Sequence, residues 1–248
     1  MHNRAETKAG SPDWHDATGY AFAESLDAAG WAWQFLRRCP EYRADYAWFD
    51  SVWQALEAEY GVPPQRDYFR WKQDPRAWRP EAEIAGCGTE ACPGENDQVL
   101  IECWMGAKWG FRKFPIDPAV AFPENLAWRE QPVTVETADV DALAGLTAQQ
   151  VALGFDLALP LDIQIEAARR KLALLRHGLA KSGQLPPLTV RQGAALWAGW
   201  LRLLDATEAG VPLADIGRAL GMADPPGALA QARVMSRQGY RRILQLSI

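Results

Sequence analysis

Apolar side chains recur at helical spacing through most of the chain, and the pattern changes character twice. Residues 13–60 place Trp, Tyr, Phe and Leu three and four positions apart, with Gly30, Pro40 and Gly61 as punctuation, which predicts two or three helices. Residues 62–95 are rich in Pro, Gly and charge and predict irregular chain. From Gln98 the sequence turns to "QVLIECW", "KWGFRKFPIDP" and "ENLAWREQPVTVET", short β-leaning runs bounded by turn residues, which predict a small sheet or a pair of hairpins. Residues 136–162 offer few large side chains and no firm period, so a domain boundary is expected there.

Beyond it the helical period returns. Asp162 is placed to cap a helix running to about Ser182, with Gly183 just past its end. Thr189 can cap a second helix that ends at Gly210 and carries Leu196, Trp197, Trp200, Leu201 and Leu204 as an apolar stripe. Pro212 opens a short third helix with Leu213, Ile216 and Leu220 on one side, and Gly221 suits the left-handed conformation that ends a helix. Asp224, Pro225, Pro226 and Gly227 then intervene before a last helix. The expected fold class is mainly α (α+β): an N-terminal helical domain with a small β element over residues 1–140, and a C-terminal helical domain over 156–248.

On a wheel advancing 100° per residue, Leu229, Ala232, Met235, Gly239, Tyr240, Ile243 and Leu246 of that last helix share one side. The other side carries Gln231, Arg233, Arg237, Gln238, Arg241 and Arg242, with Val234 the one apolar intruder, and no acidic residue follows Asp224. A guanidinium can bond bidentately to guanine or phosphate, and a Gln amide can do the same with adenine, so the face suits DNA as well as solvent.

Charge sharpens the picture once it is divided along the chain. The formal total is −5, but residues from Ile163 onward hold 12 Lys+Arg against 5 Asp+Glu, leaving 14 against 26 in residues 1–162. An acidic half conceals a basic one. Ten of the twelve Trp lie in residues 14–128, which makes the acidic half the aromatic half too.

Two sets of motifs resemble proteobacterial transcriptional activators of the FseA and RovC type, which control conjugative-element transfer or secretion genes. In the first half, "SPDWHDATGYAF", "WAWQFLRRCPEYRADYA" and "KWGFRKFPIDPA" resemble the family's N-terminal regulatory domain; in the second, "PLDIQIEAARRKLALLRHG", "LLDATEAGVPLADIGRALG" and "ARVMSRQGYRRIL" resemble its C-terminal domain. The resemblance leaves about residues 60–100 and 130–155 unmatched. It implies a helix-turn-helix variant whose turn is extended by Asp224–Gly227 and whose recognition helix follows. Gln231, Arg233, Arg237, Gln238, Arg241 and Arg242 are then the DNA-facing candidates, with Arg218 and Arg191 as outlying phosphate contacts. The partners it implies are double-stranded promoter DNA and RNA polymerase; a protein-binding antiactivator on the same scaffold, blocking a partner regulator, is the alternative.

Four cysteines, Cys39, Cys87, Cys92 and Cys103, all fall in the acidic half, and Cys39 stands where relatives usually carry Asn. Four thiolates can hold an iron-sulfur cluster or a zinc ion, and metal status would then gate the regulator; the spacing leaves both open, as well as four unrelated thiols with Cys103 a buried strand residue. His2, His15 and His177 sit in no metal or nucleophile motif, and no phosphate loop, nucleophile elbow or paired-carboxylate spacing is present, so an enzyme is not expected. No apolar run reaches membrane-spanning length and the first residues lack the apolar core of a secretory signal, so a cytoplasmic location is expected. No heptad repeat or dimer helix is evident in the pattern.

Overall fold

The computed structural model describes residues 12–84, 97–129, 150–182 and 189–246. The fold is mainly helical with one small antiparallel sheet. After a 3-10 turn over Ala17–Ser25, capped by the Asp16 carboxylate, come α1 (Ala28–Leu36) and α2 (Pro40–Tyr60). Asp27 caps α1 by accepting from the Gly30 N–H, and Pro40 opens α2 where a missing N–H costs nothing. α3 (Tyr68–Trp71), β1 (Trp78–Pro80), β2 (Gln98–Leu100) and α4 (Ile101–Trp109) complete the first half. β1 pairs with β2 with Arg79 opposite Val99.

Among the described residues the expected sheet is therefore shorter than its sequence suggests; residues 130–137 of the third run lie outside them. The run "QVLIECW" gives a strand only as far as Leu100, and Ile101 begins a helix in which Cys103 is buried. Nearly every residue of α4 is buried, Glu102 included, so its sequence shows no helical period, the ambiguity that short buried elements carry. Phe111 and Trp128 form an isolated antiparallel bridge, and their rings stack at 4.6 Å.

In the second half, α5 spans Leu161–Lys181, α6 Val190–Glu208, α7 Leu213–Leu220 and α8 Pro225–Val234. A π segment, Met235–Gly239, leads into the short α9, Tyr240–Ile243. Thr189 caps α6 through the Gln192 N–H, and Gly221 ends α7 at φ 63°, as expected. Asp162 does not cap α5; it sits in the first turn, behind Pro160, where its charge still complements the helix dipole. Leu196 faces solvent, and Val190, Leu203 and Ala206 complete the buried stripe of α6 in its place.

The main core does not stop at the expected boundary. Trp31 of α1 meets Trp197 of α6 edge-on at 5.3 Å, and Phe35 meets Trp197 and Trp200 in the same manner. Tyr240 and Ile243 of α9 enter the same cluster, which runs through α1, α2, α4 and α6. A smaller cluster joins Trp14 to Leu203, Ala206, Ile216 and Leu229. Edge-to-face aromatic pairs add about 0.5–1.5 kcal/mol each beyond their buried area, so Trp31 and Phe35 of the first half help to hold the second.

Polar contacts follow the same route. The "WAWQFLRR" stretch, α1 and the two residues past it, supplies Trp33 Nε1 to the Val120 carbonyl (3.0 Å), Gln34 Nε2 to Ala121 (2.7 Å) and Arg37 Nε to Pro118 (3.0 Å), which pins the 112–129 loop. Arg38 turns the other way, onto Asp205 of α6. Arg202 donates to the carbonyls of Trp14 (2.8 Å) and His15 (2.9 Å).

Candidate nucleic-acid interface

The candidate site is built on α7, the turn after it, and α8 with its continuation. Residues 221–224 alone separate α7 from α8, a connection of ordinary length for a helix-turn-helix. The intervening Asp-Pro-Pro-Gly does not extend the turn, which corrects the expectation. Asp224 is the cap of α8, accepting from the Gly227 N–H at 3.0 Å, and Pro225 and Pro226 occupy the first helical positions, which need no donor. Gly217 brings the two helices close, because a Cβ there would lie 2.3 Å from Pro225 Cγ.

The apolar side of the last helix is placed as its wheel predicts: Leu229, Ala232, Gly239, Tyr240 and Ile243 are buried, Met235 and Leu246 half-buried. Opposite, Gln231, Arg233, Val234, Arg237, Gln238 and Arg242 are exposed. The helix is not uniform, however. Through Met235–Gly239 the hydrogen bonds widen to the π pattern, so each residue turns the chain less than 100°. Arg241, central on the polar face of an ideal wheel, is carried to its edge. There it is half-buried, and Nη2 donates to the Lys108 carbonyl while Nε donates to the Tyr240 hydroxyl at 3.3 Å. Tyr240 in turn donates to the Trp109 carbonyl at 2.8 Å.

Arg237 is also engaged, though at the surface. Its Nη2 lies 2.6 Å from Oε1 of Glu41 in the first turn of α2. Glu41 Oε2 accepts from the Cys39 thiol at 3.2 Å. The Glu41 carboxyl is held below its ordinary value, first by its own backbone N–H, then by the Cys39 thiol, with Arg237 adding to both. Arg218 pairs with Asp215 at 3.1 Å, one turn away on α7, and Arg191 is exposed at the start of α6. Gln231, Arg233 and Gln238 are thus exposed on the polar side of α8 and the π turn, Gln231 and Arg233 on its opposite flanks, with Arg237 on a surface tether and Arg241 withdrawn. The tethers to Glu41 and Lys108 link residues far apart in sequence, and no local spacing signals them.

The thiol set is divided. Cys87 and Cys92 lie outside the described residues. Cys39 is sealed in the core at the N-terminus of α2, and burial pushes its thiol up to about 11. A metal ligand must be a thiolate. Cys39 is placed as a donor to Glu41. Among the described residues no group of three or more His, Cys, Asp or Glu is arranged to hold a metal ion.

Residues 13–71 match a known family, the proteobacterial transcriptional regulator-like domain. The match takes in the α1–α2 stretch that grips α6 and supplies Glu41 to Arg237, and it supports a role in transcription regulation. No curated protein and no solved structure matches the chain. No described helix is long and apolar enough to cross a membrane.

Proposed function

We propose that this chain is a DNA-binding transcription regulator that reads promoter DNA with α8 and the π turn after it, α7 and α8 forming a helix-turn-helix. The observation that carries the reading is the exposed polar side bearing Gln231, Arg233 and Gln238, backed by a buried apolar side and free of any acidic residue after Asp224. Such a helix fits a major groove, with Arg and Gln reaching base edges and phosphates. Arg242, Arg218 and Arg191 would be phosphate contacts. Activation, and horizontal-transfer or secretion genes as targets, follow from the resemblance of the motifs. The 13–71 domain would meet polymerase or a regulatory partner.

The second reading, a protein-binding antiactivator, is favoured by one observation: Arg237 and Arg241, two of the candidate DNA contacts, already engage the first half of the chain. Binding of the full chain to DNA upstream of neighbouring genes, across a salt series, tests both. Expected is a steep loss of affinity with salt and a preference for one DNA fragment, with Arg233→Ala weakening it. A chain that binds no DNA at low salt leaves the protein-binding reading standing.

A further inference from the structure

α5 is unlike every other long helix of the chain. Not one of its residues is buried, although its sequence is "LDIQIEAARRKLALLRHGLAK". Leu161, Ile165, Leu172 and Leu175 are 45, 54, 43 and 38% exposed. Taken with Ala168 and Leu179 they are spaced four, three, four, three and four residues apart, which is the a/d seam of a coiled coil. The sequence pattern conceals this seam because Ile163 and Leu174 add apolar residues on the opposite side of the helix. Leu153 and Phe155, from the segment before α5, stand beside the seam and form a shallow groove with Ile165, Ala168 and Leu172. Gln164 ties that segment down by bonding the Asp156 N–H (2.8 Å) and the Asp156 carbonyl (2.9 Å).

We infer that α5 is a self-association helix, and that it pairs antiparallel with α5 of a second copy of this chain. The seam is its own complement when reversed. Leu161 meets Leu179 of the second copy, Ile165 meets Leu175, and Ala168 meets Leu172, each twice about a two-fold axis. A small residue opposite a large one keeps the middle of the seam filled.

Charge selects the direction. Flanking the seam, α5 carries Asp162 in its first turn and Arg169, Lys171 and Arg176 later. Reversal sets Asp162 beside Arg176 of the second copy at both ends, while Arg169 and Lys171 each approach their own copy once, near the axis. Both are exposed and free to splay. Parallel alignment instead sets Lys171 beside Arg176 twice and offers no opposite-charge pair. The inference stands apart from the DNA-binding reading, since self-association needs no DNA.

The test is sedimentation of the full chain over a range of concentrations without DNA. The wild type is expected to dimerise, and Ile165→Glu/Leu172→Glu to weaken the dimer by more than about 100-fold with the melting of the core unchanged. Asp162→Arg and Arg176→Asp should each weaken it by about tenfold, and the two together should restore it. A wild type that stays monomeric to ~100 μM, where a useful dimer would form, overturns the inference. So does a dimer indifferent to Ile165→Glu/Leu172→Glu, which would place the interface elsewhere. Charge reversals that do not rescue one another overturn the antiparallel register. If the double Glu variant fails to fold, the charge reversals, all at exposed positions, decide alone.

Discussion

Arg38 holds Asp205 in a bidentate grip, Nε to Oδ1 at 2.6 Å and Nη2 to Oδ2 at 2.9 Å, with both side chains 2% exposed or less. Tyr20 donates to the same carboxylate at 2.5 Å, and Arg38 Nη1 completes its set on Gln34, at both the carbonyl and the side-chain oxygen. A buried pair of this kind adds little net stability over an apolar substitute, but breaking it strands a charge in the core. Asp205→Ala should therefore cost about 3–5 kcal/mol, read by denaturant unfolding, whereas Tyr20→Phe should cost about 1 kcal/mol. Removing both charges, as Arg38→Met/Asp205→Leu, should recover most of the loss. A loss from Asp205→Ala below 1 kcal/mol would mean that the pair does not hold α1 to α6.

The same clamp bears on whether residues 156–248 form a separate unit. Trp197, Trp200 and Tyr240 would lose Trp31, Phe35 and the Trp109 carbonyl if cut from the first half. The isolated fragment is expected to melt without a cooperative transition and to bind a hydrophobic dye, while the full chain melts as one unit. A sharp independent transition for the fragment would show that the shared core is dispensable.

Glu102 in α4 is 6% exposed, and its Oε2 has no hydrogen-bond partner among the described residues. Burial raises its pKa above the ordinary carboxyl value, against the pull of Lys113 and Arg66. The raised value fixes the sign: the folded state binds the proton more tightly than the unfolded chain, so stability falls as pH rises through the unfolded value near 4.3 and stops falling above the folded one. Glu102→Gln should thus stabilise the protein at neutral pH and give no advantage below about pH 4, where both states carry the proton. Equal gains at both pH values would assign the effect to packing.

How much of this was legible in the sequence differs by element. The caps Thr189 and Gly221 and the apolar side of the last helix are local, and periodicity found them. α4 was misread because a helix buried on all sides has no polar face to set its period. The extended turn over Asp-Pro-Pro-Gly was expected from the resemblance, not from the local sequence, in which two prolines after an Asp cap suit the first positions of a helix. The fate of Arg241 was beyond reach: its displacement depends on a π turn, and its partner on α4 is more than a hundred residues away in sequence.

That displacement separates two arginines which a wheel treats alike. Arg233→Ala removes an exposed cation and should weaken DNA binding while leaving the melting temperature nearly unchanged. Arg241→Ala removes a half-buried tether to the Lys108 carbonyl, and its main expected effect is a loss of about 1–2 kcal/mol of stability. Arg237 lies between them. Glu41→Gln would weaken its exposed pair, worth up to ~1 kcal/mol, so DNA affinity should rise by no more than about fivefold with little change in stability. Fluorescence anisotropy with promoter DNA, beside thermal melts of the same three variants, reads all of this. If Arg241→Ala loses DNA affinity with its melt intact, and Arg233→Ala loses neither, the reading contacts lie further along the helix than the exposed side chains suggest.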